Sequence, residues 1–311
     1  MADFDRPALV QFAQDSISRG SKSFRFASRL FDRITRERVW LLYAWCRKCD
    51  DMADGQDHGG AMAAVTDPQE SLAAIRTLTA AALAGMPTGE PAFDCLGVVA
   101  RECGITARMA EDVIEGFALD AADWHPRRES DLYQYCYHVA GAVGVMMAVV
   151  MGVPADDDAT LDRACDLGLA FQLANIARDI AEDDAAGRCY LPDDWLATLD
   201  IGPGEHMKPH NRKKLALMGR WLADEAEQYE ASARVGAAHL PLRARWAVLS
   251  AAGIYGEIAR KVRAADSHAW DQRIFTSRPE KFRWVRKAFV DAVANNPRAM
   301  DRDALWTRTR V

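Results

Sequence analysis

Five side chains that could bind a metal ion and an anion recur at helical spacing in the segment 43–54, YAWCRKCDDMAD. At 3.6 residues per turn they fall within about 100° of arc on one helix face. They are Tyr43, Arg47, Asp50, Asp51 and Asp54. The neighbouring residues Leu42 and Trp45 are apolar. Because a charged face on an otherwise apolar helix is costly to bury, the pattern predicts a polar cavity that contains counter-ions.

A second polar face follows in the segment 168–192, GLAFQLANIARDIAEDDAAGRCYLP. Its members fall within about 80° of arc on a helix: Gln172, Asn175, Asp179 and Asp183. Leu169, Ile176 and Ile180 occupy the other side of the same helix. The chain then leaves the helix and presents Arg188 and Tyr190 on a loop.

The chemistry that suits both faces is binding of a divalent metal together with a diphosphate. Aspartates one helical turn apart repel each other, and a hard cation between them removes that repulsion. Magnesium prefers oxygen ligands and binds through a few carboxylates plus substrate phosphates, and manganese is the alternative metal. Arg47, Arg178 and Arg188 could hold phosphate oxygens in a bidentate manner. The alternative for each acidic face is an ordinary solvated helix surface.

Composition and turn signals indicate which elements position these faces. The 311 residues are 50% apolar and 27% charged, a balance typical of a globular chain with a sizeable core. Strong helix formers dominate between the turns, and alternating β-branched runs are nearly absent. We therefore predict one all-α domain over residues 1–311, with roughly ten helices. The net charge of −6 argues against a general affinity for nucleic acid.

Three features bear on the cellular location. The seven cysteines are scattered and odd in number, which suits free thiols in a reducing compartment. The N-terminal residues lack an apolar signal region, so we expect a cytoplasmic protein. The uncharged segment 139–155 is rich in glycine and alanine and is shorter than the roughly 20 residues of a spanning helix. It predicts a buried helix that packs closely against a neighbour.

The second polar segment resembles the squalene and phytoene synthases, a family that joins prenyl diphosphates head to head. The matching positions are Gly168, Gln172, Asn175, Arg178, Asp179, Asp183, Arg188, Tyr190 and Pro192. Three further segments resemble the same family: SKSF at 21–24, the aspartate motif at 43–54, and YCYHVAGAVGVMM at 135–147. The resemblance covers nearly the whole chain, and the DHG sequence at 57–59 is similar to bacterial phytoene synthases in particular.

This resemblance implies a single-domain isoprenoid synthase fold, a helical bundle around a central cavity that both aspartate motifs face. It implies a magnesium-dependent prenyltransferase that condenses two geranylgeranyl diphosphates, through a cyclopropyl diphosphate, to 15-cis-phytoene, an early step of carotenoid biosynthesis. No NADPH is expected. One alternative is a dehydrosqualene or presqualene diphosphate synthase that uses farnesyl diphosphate. A remote alternative is a non-catalytic helical scaffold.

The resemblance also implies roles for individual residues. The expected metal ligands are Asp50, Asp51, Asp54, Asn175, Asp179 and Asp183. The expected diphosphate and substrate contacts are Ser21, Lys22, Phe24, Tyr43, Arg47, Tyr135, Gln172, Asn175, Arg178, Arg188, Tyr190, Tyr255 and Arg273. The expected catalytic groups are Asp50, Asp54, Asp179 and Asp183, together with Tyr43 and Arg47.

The expected partners follow from the lipid nature of such a reaction. They are a prenyl diphosphate substrate, downstream carotenoid enzymes and a peripheral contact with a membrane surface. The basic stretch 208–214, KPHNRKK, is predicted to be a solvated face, with a membrane-surface role as the alternative.

Overall fold

The computed structural model describes residues 4–20, 27–54, 68–122 and 124–310. It is 74% helical, and within these ranges no residue lies in a β-strand, which confirms the all-α class predicted above. The fold divides into two compact units. The first comprises Met1–Asp123 and Val145–Asp157, and the second comprises Trp124–Gly144 and Asp158–Val311. The single domain over 1–311 stays a prediction.

The first unit is built on helices whose ends follow from local chemistry. The described helices are α1 (Arg6–Gly20), α2 (Arg33–Asp54), α3 (Pro68–Leu83), α4 (Pro91–Cys103) and α5 (Ala107–Ala121). Gly104 ends α4 with a φ of 81°, a value that glycine adopts readily. The Thr106 hydroxyl then caps α5 by accepting the Met109 N–H. Helix α2 packs against α1 and α4 and buries Trp45 completely.

The second unit centres on a long helix that carries the second polar face. Its elements are α6 (Glu129–Cys136), a π-helical turn (Tyr137–Gly141), α8 (Asp158–Ala185), α9 (Asp193–Thr198), α10 (Arg212–Ala237), α11 (Leu242–Ala265) and α12 (Arg278–Ala294). Helix α7 (Ala142–Val150) contains the boundary between the two units. Helix α8 packs along α10 and α11, and α12 packs on α11.

The apolar segment 139–155 is a largely buried helical stretch, as predicted. In the part of the chain that the structure describes, no helix is both long and apolar enough to span a membrane. The π-helical turn approaches α8 backbone to backbone. A Cβ atom placed on Gly168 would lie 2.4 Å from the Ala140 carbonyl oxygen and 2.6 Å from the Gly141 Cα atom. Only a glycine at position 168 permits this separation.

Replacing Gly168 with alanine is expected to lower the free energy of unfolding by about 3 kcal/mol. The added methyl group meets backbone atoms, which cannot rotate away. Alanine would otherwise favour the helix by about 1 kcal/mol. Denaturant unfolding followed by circular dichroism measures the change. Gly219→Ala is the matched control, because its methyl group would meet side chains rather than backbone, the Trp270 ring at 3.1 Å and a Val262 methyl group at 3.6 Å. Equal stability of both variants would contradict the argument.

The C-terminal segment 299–310 lies along the first turns of α8, where acidic residues recur every four positions. Arg302 binds both carboxylate oxygens of buried Asp166 at 2.7 Å. Arg308 pairs with Asp162 at 2.9 Å and with Asp158. The segment is therefore tied to the helix that carries Asp179 and Asp183 further along.

Candidate active site

The first aspartate motif is held together by an arginine from its own helix. The Arg47 guanidinium donates to an Asp50 carboxylate oxygen at 2.7 Å and to an Asp51 carboxylate oxygen at 2.5 Å. Arg47 and Asp51 are mostly buried, and Asp50 is the more exposed of the three. The two pairs join three of the side chains predicted to share one face of α2. They place positive and negative charge side by side at a partly accessible position.

Tyr43 lies one turn before Arg47, close to the last residue of α1. A Cβ atom on Gly20 would come within 2.4 Å of the Tyr43 hydroxyl oxygen, so the absence of a side chain at position 20 makes room for the phenol. Burial raises the pKa of Tyr43, and the nearby charges of Asp50 and Asp51 add to that effect. The hydroxyl therefore remains a hydrogen-bond donor at neutral pH.

We expect Gly20→Ala to lower turnover about tenfold or more, because the methyl group displaces the Tyr43 hydroxyl from its place beside Arg47. The fold should persist, since the atom that must move belongs to a side chain. A melting curve and steady-state turnover of the prenyl diphosphate that the resemblance implies separate the two effects. Arg19→Ala, at the exposed neighbouring position, is the control and should retain wild-type turnover. Unchanged turnover in Gly20→Ala would show that Tyr43 does not contribute to the site.

Several predicted residues cannot be placed. Ser21, Lys22 and Phe24 lie outside the described residues. Asp54 is the last residue of α2, but its side chain is likewise outside the description. Their roles in binding metal and diphosphate stay predictions.

In the second unit, two arginines converge on Asp179. Arg178 donates to one carboxylate oxygen at 2.7 Å and also contacts the other. Arg273 reaches the same carboxylate at 3.0 Å and Glu182 at 2.9 Å. Arg273 lies in the loop between α11 and α12, almost a hundred positions along the chain, so the fold rather than the sequence spacing brings it here. Glu182 is a member of this cluster that the sequence analysis did not include.

Asp183 lies one turn after Asp179 and is half-buried. Burial, together with the negative charges of Asp179 and Glu182, raises its pKa to about 6 against the opposing charges of Arg188 and Arg178. Burial thus disfavours the ionised form of Asp183, and the neighbouring carboxylates add to that effect. A cation bound here would stabilise the ionised form of Asp183.

The loop after α8 turns back toward this cluster. Gly187 adopts a φ of 76°, which lets the chain reverse, and the Arg188 N–H then donates to the Asp183 carbonyl oxygen at 2.8 Å. Tyr190 stacks on Tyr135, with ring centroids 5.0 Å apart. Trp124 stacks on the other face of this pair at 5.1 Å from Tyr135. The three rings fix the loop against α6, and no spacing rule in the sequence indicated Trp124.

The remaining predicted side chains lie on α8 and on its neighbour α11. Gln172 and Asn175 are half-buried on the same side of α8 as Asp179. Tyr255 of α11 stacks on Phe171 with centroids 4.2 Å apart, and its ring is partly exposed. The Trp270 indole N–H donates to the Ala177 carbonyl oxygen at 3.0 Å and ties the following loop to α8.

The cysteines offer no competing chemistry. All seven are free thiols, as predicted. Burial raises the pKa of Cys46 and Cys95 to about 12, so these groups are protonated and inert as nucleophiles.

The carboxylates fit a divalent metal that is shared with a substrate. Within the described ranges, no three histidine, cysteine, aspartate or glutamate side chains converge as a complete metal site. The donor set is instead a few carboxylate oxygens in each unit, with arginines beside them. Magnesium is bound in this way when substrate phosphates supply the other ligands.

Known proteins are similar in sequence to this chain over almost its full length. The family model of squalene/phytoene synthase matches residues 17–280. The phytoene synthase of Pseudescherichia vulneris is 46% identical over 307 residues, which cover 97% of this chain and 99% of that protein. The 15-cis-phytoene synthase of Pantoea ananas is 46% identical over 297 residues, which cover 95% of this chain and 96% of that protein.

Solved structures agree on the fold. A dehydrosqualene synthase crystallised with a ligand aligns with a TM-score of 0.81 and 26% identity, covering 93% of this chain and 98% of that one. The isoprenoid synthase fold implied by the resemblance is thereby confirmed. Since the family model spans most of the chain and the relatives align from end to end, this chain belongs to the squalene/phytoene synthase family.

Proposed function

We propose that this chain is a phytoene synthase, a prenyltransferase that joins two molecules of geranylgeranyl diphosphate head to head. The observation that carries the proposal is 46% identity to a protein named phytoene synthase, over 97% of this chain and 99% of the relative. Two diphosphates and two protons leave in the overall reaction, one of each in either half, and the product is 15-cis-phytoene. It proceeds through a cyclopropyl diphosphate and uses no nicotinamide reductant.

We assign the metal, magnesium with manganese as the alternative, to carboxylates of both motifs. Asp50, Asp51 and Asp54 would hold it in the first unit, and Asp179, Asp183 and Asn175 in the second. When bound, the metal would neutralise the diphosphate and make it a better leaving group. This assignment rests on the oxygen-rich donor sets and on the half-buried position of Asp183 beside other carboxylates.

The arginines supply fixed positive charge beside those carboxylates. Arg47 and Arg178 are each anchored to an adjacent aspartate, and Arg273 joins Asp179 to Glu182. Their guanidinium groups are held in place before a substrate arrives, which favours binding of a diphosphate over water. Arg188 would add a further contact from the loop after α8. Tyr43 in the first unit, and Tyr135, Tyr190 and Tyr255 in the second, would each contact a substrate.

A thirty-carbon product from farnesyl diphosphate is the second candidate. The similarity to a dehydrosqualene synthase structure favours it, although at 26% identity against 46% for the phytoene synthases. The scaffold alternative is disfavoured by the five aspartates, all of which the chain retains.

A product assay separates these candidates. Purified protein is incubated with magnesium and either geranylgeranyl or farnesyl diphosphate, without reductant, and the extract is identified by mass. We expect a forty-carbon hydrocarbon with a conjugated triene from the longer substrate. A thirty-carbon product from farnesyl diphosphate alone would assign dehydrosqualene synthesis instead. A retained diphosphate would mean that the reaction stops at the cyclopropyl intermediate, and no consumption of either substrate would support the scaffold.

The lipid character of substrate and product leads us to propose a peripheral contact with a membrane and transfer of product to downstream carotenoid enzymes. The protein would act from the cytoplasm.

A further inference from the structure

Large apolar side chains are exposed along one face of α12. Phe282, Phe289, Val290 and Val293 expose 72%, 45%, 61% and 58% of their surface. At helical spacing they fall within about 100° of arc, so they form one continuous stripe. Phe275, in the loop that leads into the helix, is 67% exposed. We call these five residues the apolar stripe.

The other side of α12 explains why the stripe faces outward. Ala288 and Ala292 are buried in a cluster with Leu249 of α11. The Trp246 indole N–H donates to the Val285 carbonyl oxygen at 2.9 Å and joins the two helices. The inward face of α12 is therefore already packed against α11. Exposing the apolar stripe as well is costly unless something covers it.

Positive charge surrounds the apolar stripe. Helix α12 carries five basic and two acidic residues, a net charge of +3, although the whole chain has a net charge of −6. Both acids are neutralised: Glu280 pairs with Lys261 at 2.7 Å, and Asp291 pairs with Lys287 at 2.8 Å. Arg283 pairs with Glu257 of α11 at 3.2 Å, whereas Arg286 falls within the arc of the stripe and forms no ion pair with any carboxylate among the described residues.

We propose that α12 docks on the surface of an anionic lipid bilayer, with the apolar stripe inserted and the arginines on the headgroups. An apolar stripe flanked by lysine and arginine is the arrangement by which helices lie in a bilayer interface. Each basic side chain near an anionic surface strengthens the attraction. Phenylalanine is typical of the apolar face of such helices.

The basic stretch 208–214 is not the docking surface. Lys208 pairs with Glu205, Arg212 pairs with Asp271, and the Lys214 ammonium group donates to the Asp200 carbonyl oxygen at 2.9 Å. None of the large exposed apolar side chains of the described ranges belongs to this stretch. It therefore offers partly neutralised charge without an apolar anchor, and it provides a control.

The position of the apolar stripe connects it with the aspartate cluster of the same unit. Arg273, which contacts Asp179 at 3.0 Å, lies two residues before Phe275. Both line a cleft of about 470 Å3 that Lys261 and Glu280 of the neighbouring helices also border. The idea that membrane docking brings a lipid substrate to this cleft rests on the proposed function, whereas docking itself does not.

Vesicle co-sedimentation tests the proposal on the full chain. We use phosphatidylcholine vesicles in which about a third of the lipid is phosphatidylglycerol, and pure phosphatidylcholine vesicles for comparison. The wild type should sediment with the anionic vesicles and be released as salt is raised from about 0.1 to about 0.5 M. Arg286→Glu should weaken partitioning ~30-fold, because it reverses one charge at the surface. The double variant Phe282→Gln, Phe289→Gln should weaken it about tenfold or more.

The control variant Lys208→Glu, Lys213→Glu reverses two charges in the basic stretch and should bind as the wild type does. Three results would overturn the proposal. They are a wild type that does not sediment with anionic vesicles, α12 variants that bind them as well as the wild type does, and a control variant that binds them as weakly as the α12 variants do. A wild type that is dimeric and becomes monomeric in the phenylalanine variant would also overturn it, because a second copy would then cover the stripe.

An activity assay in detergent separates this proposal from the proposed function. With detergent-dispersed prenyl diphosphate, the α12 variants should turn over at the wild-type rate, since the mutated residues touch no predicted site residue. Wild-type protein that binds vesicles but consumes no prenyl diphosphate would contradict the proposed function and leave the docking surface supported. Turnover in detergent without any vesicle binding would contradict the docking surface and leave the proposed function supported.

Discussion

Asp183→Asn is expected to lower prenyl diphosphate turnover about 10³-fold while the fold stays intact. The substitution keeps the shape of the side chain and removes the negative charge that we assign to metal binding. Since burial and Asp179 already raise the pKa of Asp183, loss of that charge should not destabilise the protein. Turnover at saturating substrate, the magnesium concentration for half-maximal rate, and a melting curve give the three readouts. Asp50→Asn should reduce turnover in the same way in the first motif.

Asp184→Asn is the matched control for Asp183→Asn. It removes one carboxylate from the next position of α8, where Asp184 contacts His206 at 3.2 Å and is half-exposed. We expect turnover and magnesium dependence close to wild type. Wild-type turnover in Asp183→Asn would remove that aspartate from the metal site. Equal losses in both variants would mean that overall charge on α8 matters, rather than a ligand at position 183.

Much of the fold could be predicted because helix-forming residues and turn signals alternate clearly along the chain. The buried segment 139–155 followed from its length and its small residues. The π-helical turn Tyr137–Gly141 could not be predicted, because no local pattern distinguishes it from an ordinary helix. The turn is also the place where the backbone of Gly168 lies against Ala140 and Gly141, a tertiary contact that local sequence does not encode.

The grouping of some candidate site residues could be predicted from their spacing along a helix, and the grouping of others could not. Helical periodicity indicates that Arg47, Asp50 and Asp51 share a face, and the structure joins them. Periodicity gives no information about side chains that arrive from distant segments. Glu182 with Arg273, and Trp124 with Tyr135, became visible only once the chain was folded.

The sequence carries a pattern that could have predicted where the C-terminal segment packs. Asp158, Asp162 and Asp166 recur every four residues at the start of α8, on one face of that helix. Their partners are Arg302, Arg308 and Arg310, in a segment that reads as polar and charged. An acidic face of this kind requires either solvent or cations, and the sequence alone does not decide which.

Arg302→Met should lower the free energy of unfolding by about 3–5 kcal/mol, the cost of leaving a buried charge without its partner. Asp166 is fully buried, and its remaining hydrogen bond comes from the Ser232 hydroxyl at 2.5 Å. Chemical denaturation measures the loss. Arg298→Met, at an exposed position of the preceding loop, is the control and should change stability by less than about 0.5 kcal/mol. Similar small effects in both variants would show that the Arg302 pair contributes nothing to stability.

The pH dependence of the Arg302→Met loss identifies its cause. Burial raises the pKa of Asp166, and Arg302 opposes that shift, so removal of Arg302 raises the pKa further. A raised pKa in the folded state means that stability falls as pH rises through it, because the folded carboxyl must then ionise without a partner. The destabilisation should therefore be larger near about pH 8 than near about pH 5. Adding Asp166→Asn to Arg302→Met should recover part of the stability at the higher pH, since the unpaired charge is gone. A loss that is the same at both pH values, with no recovery in the double variant, would assign the effect to lost packing of the arginine side chain instead.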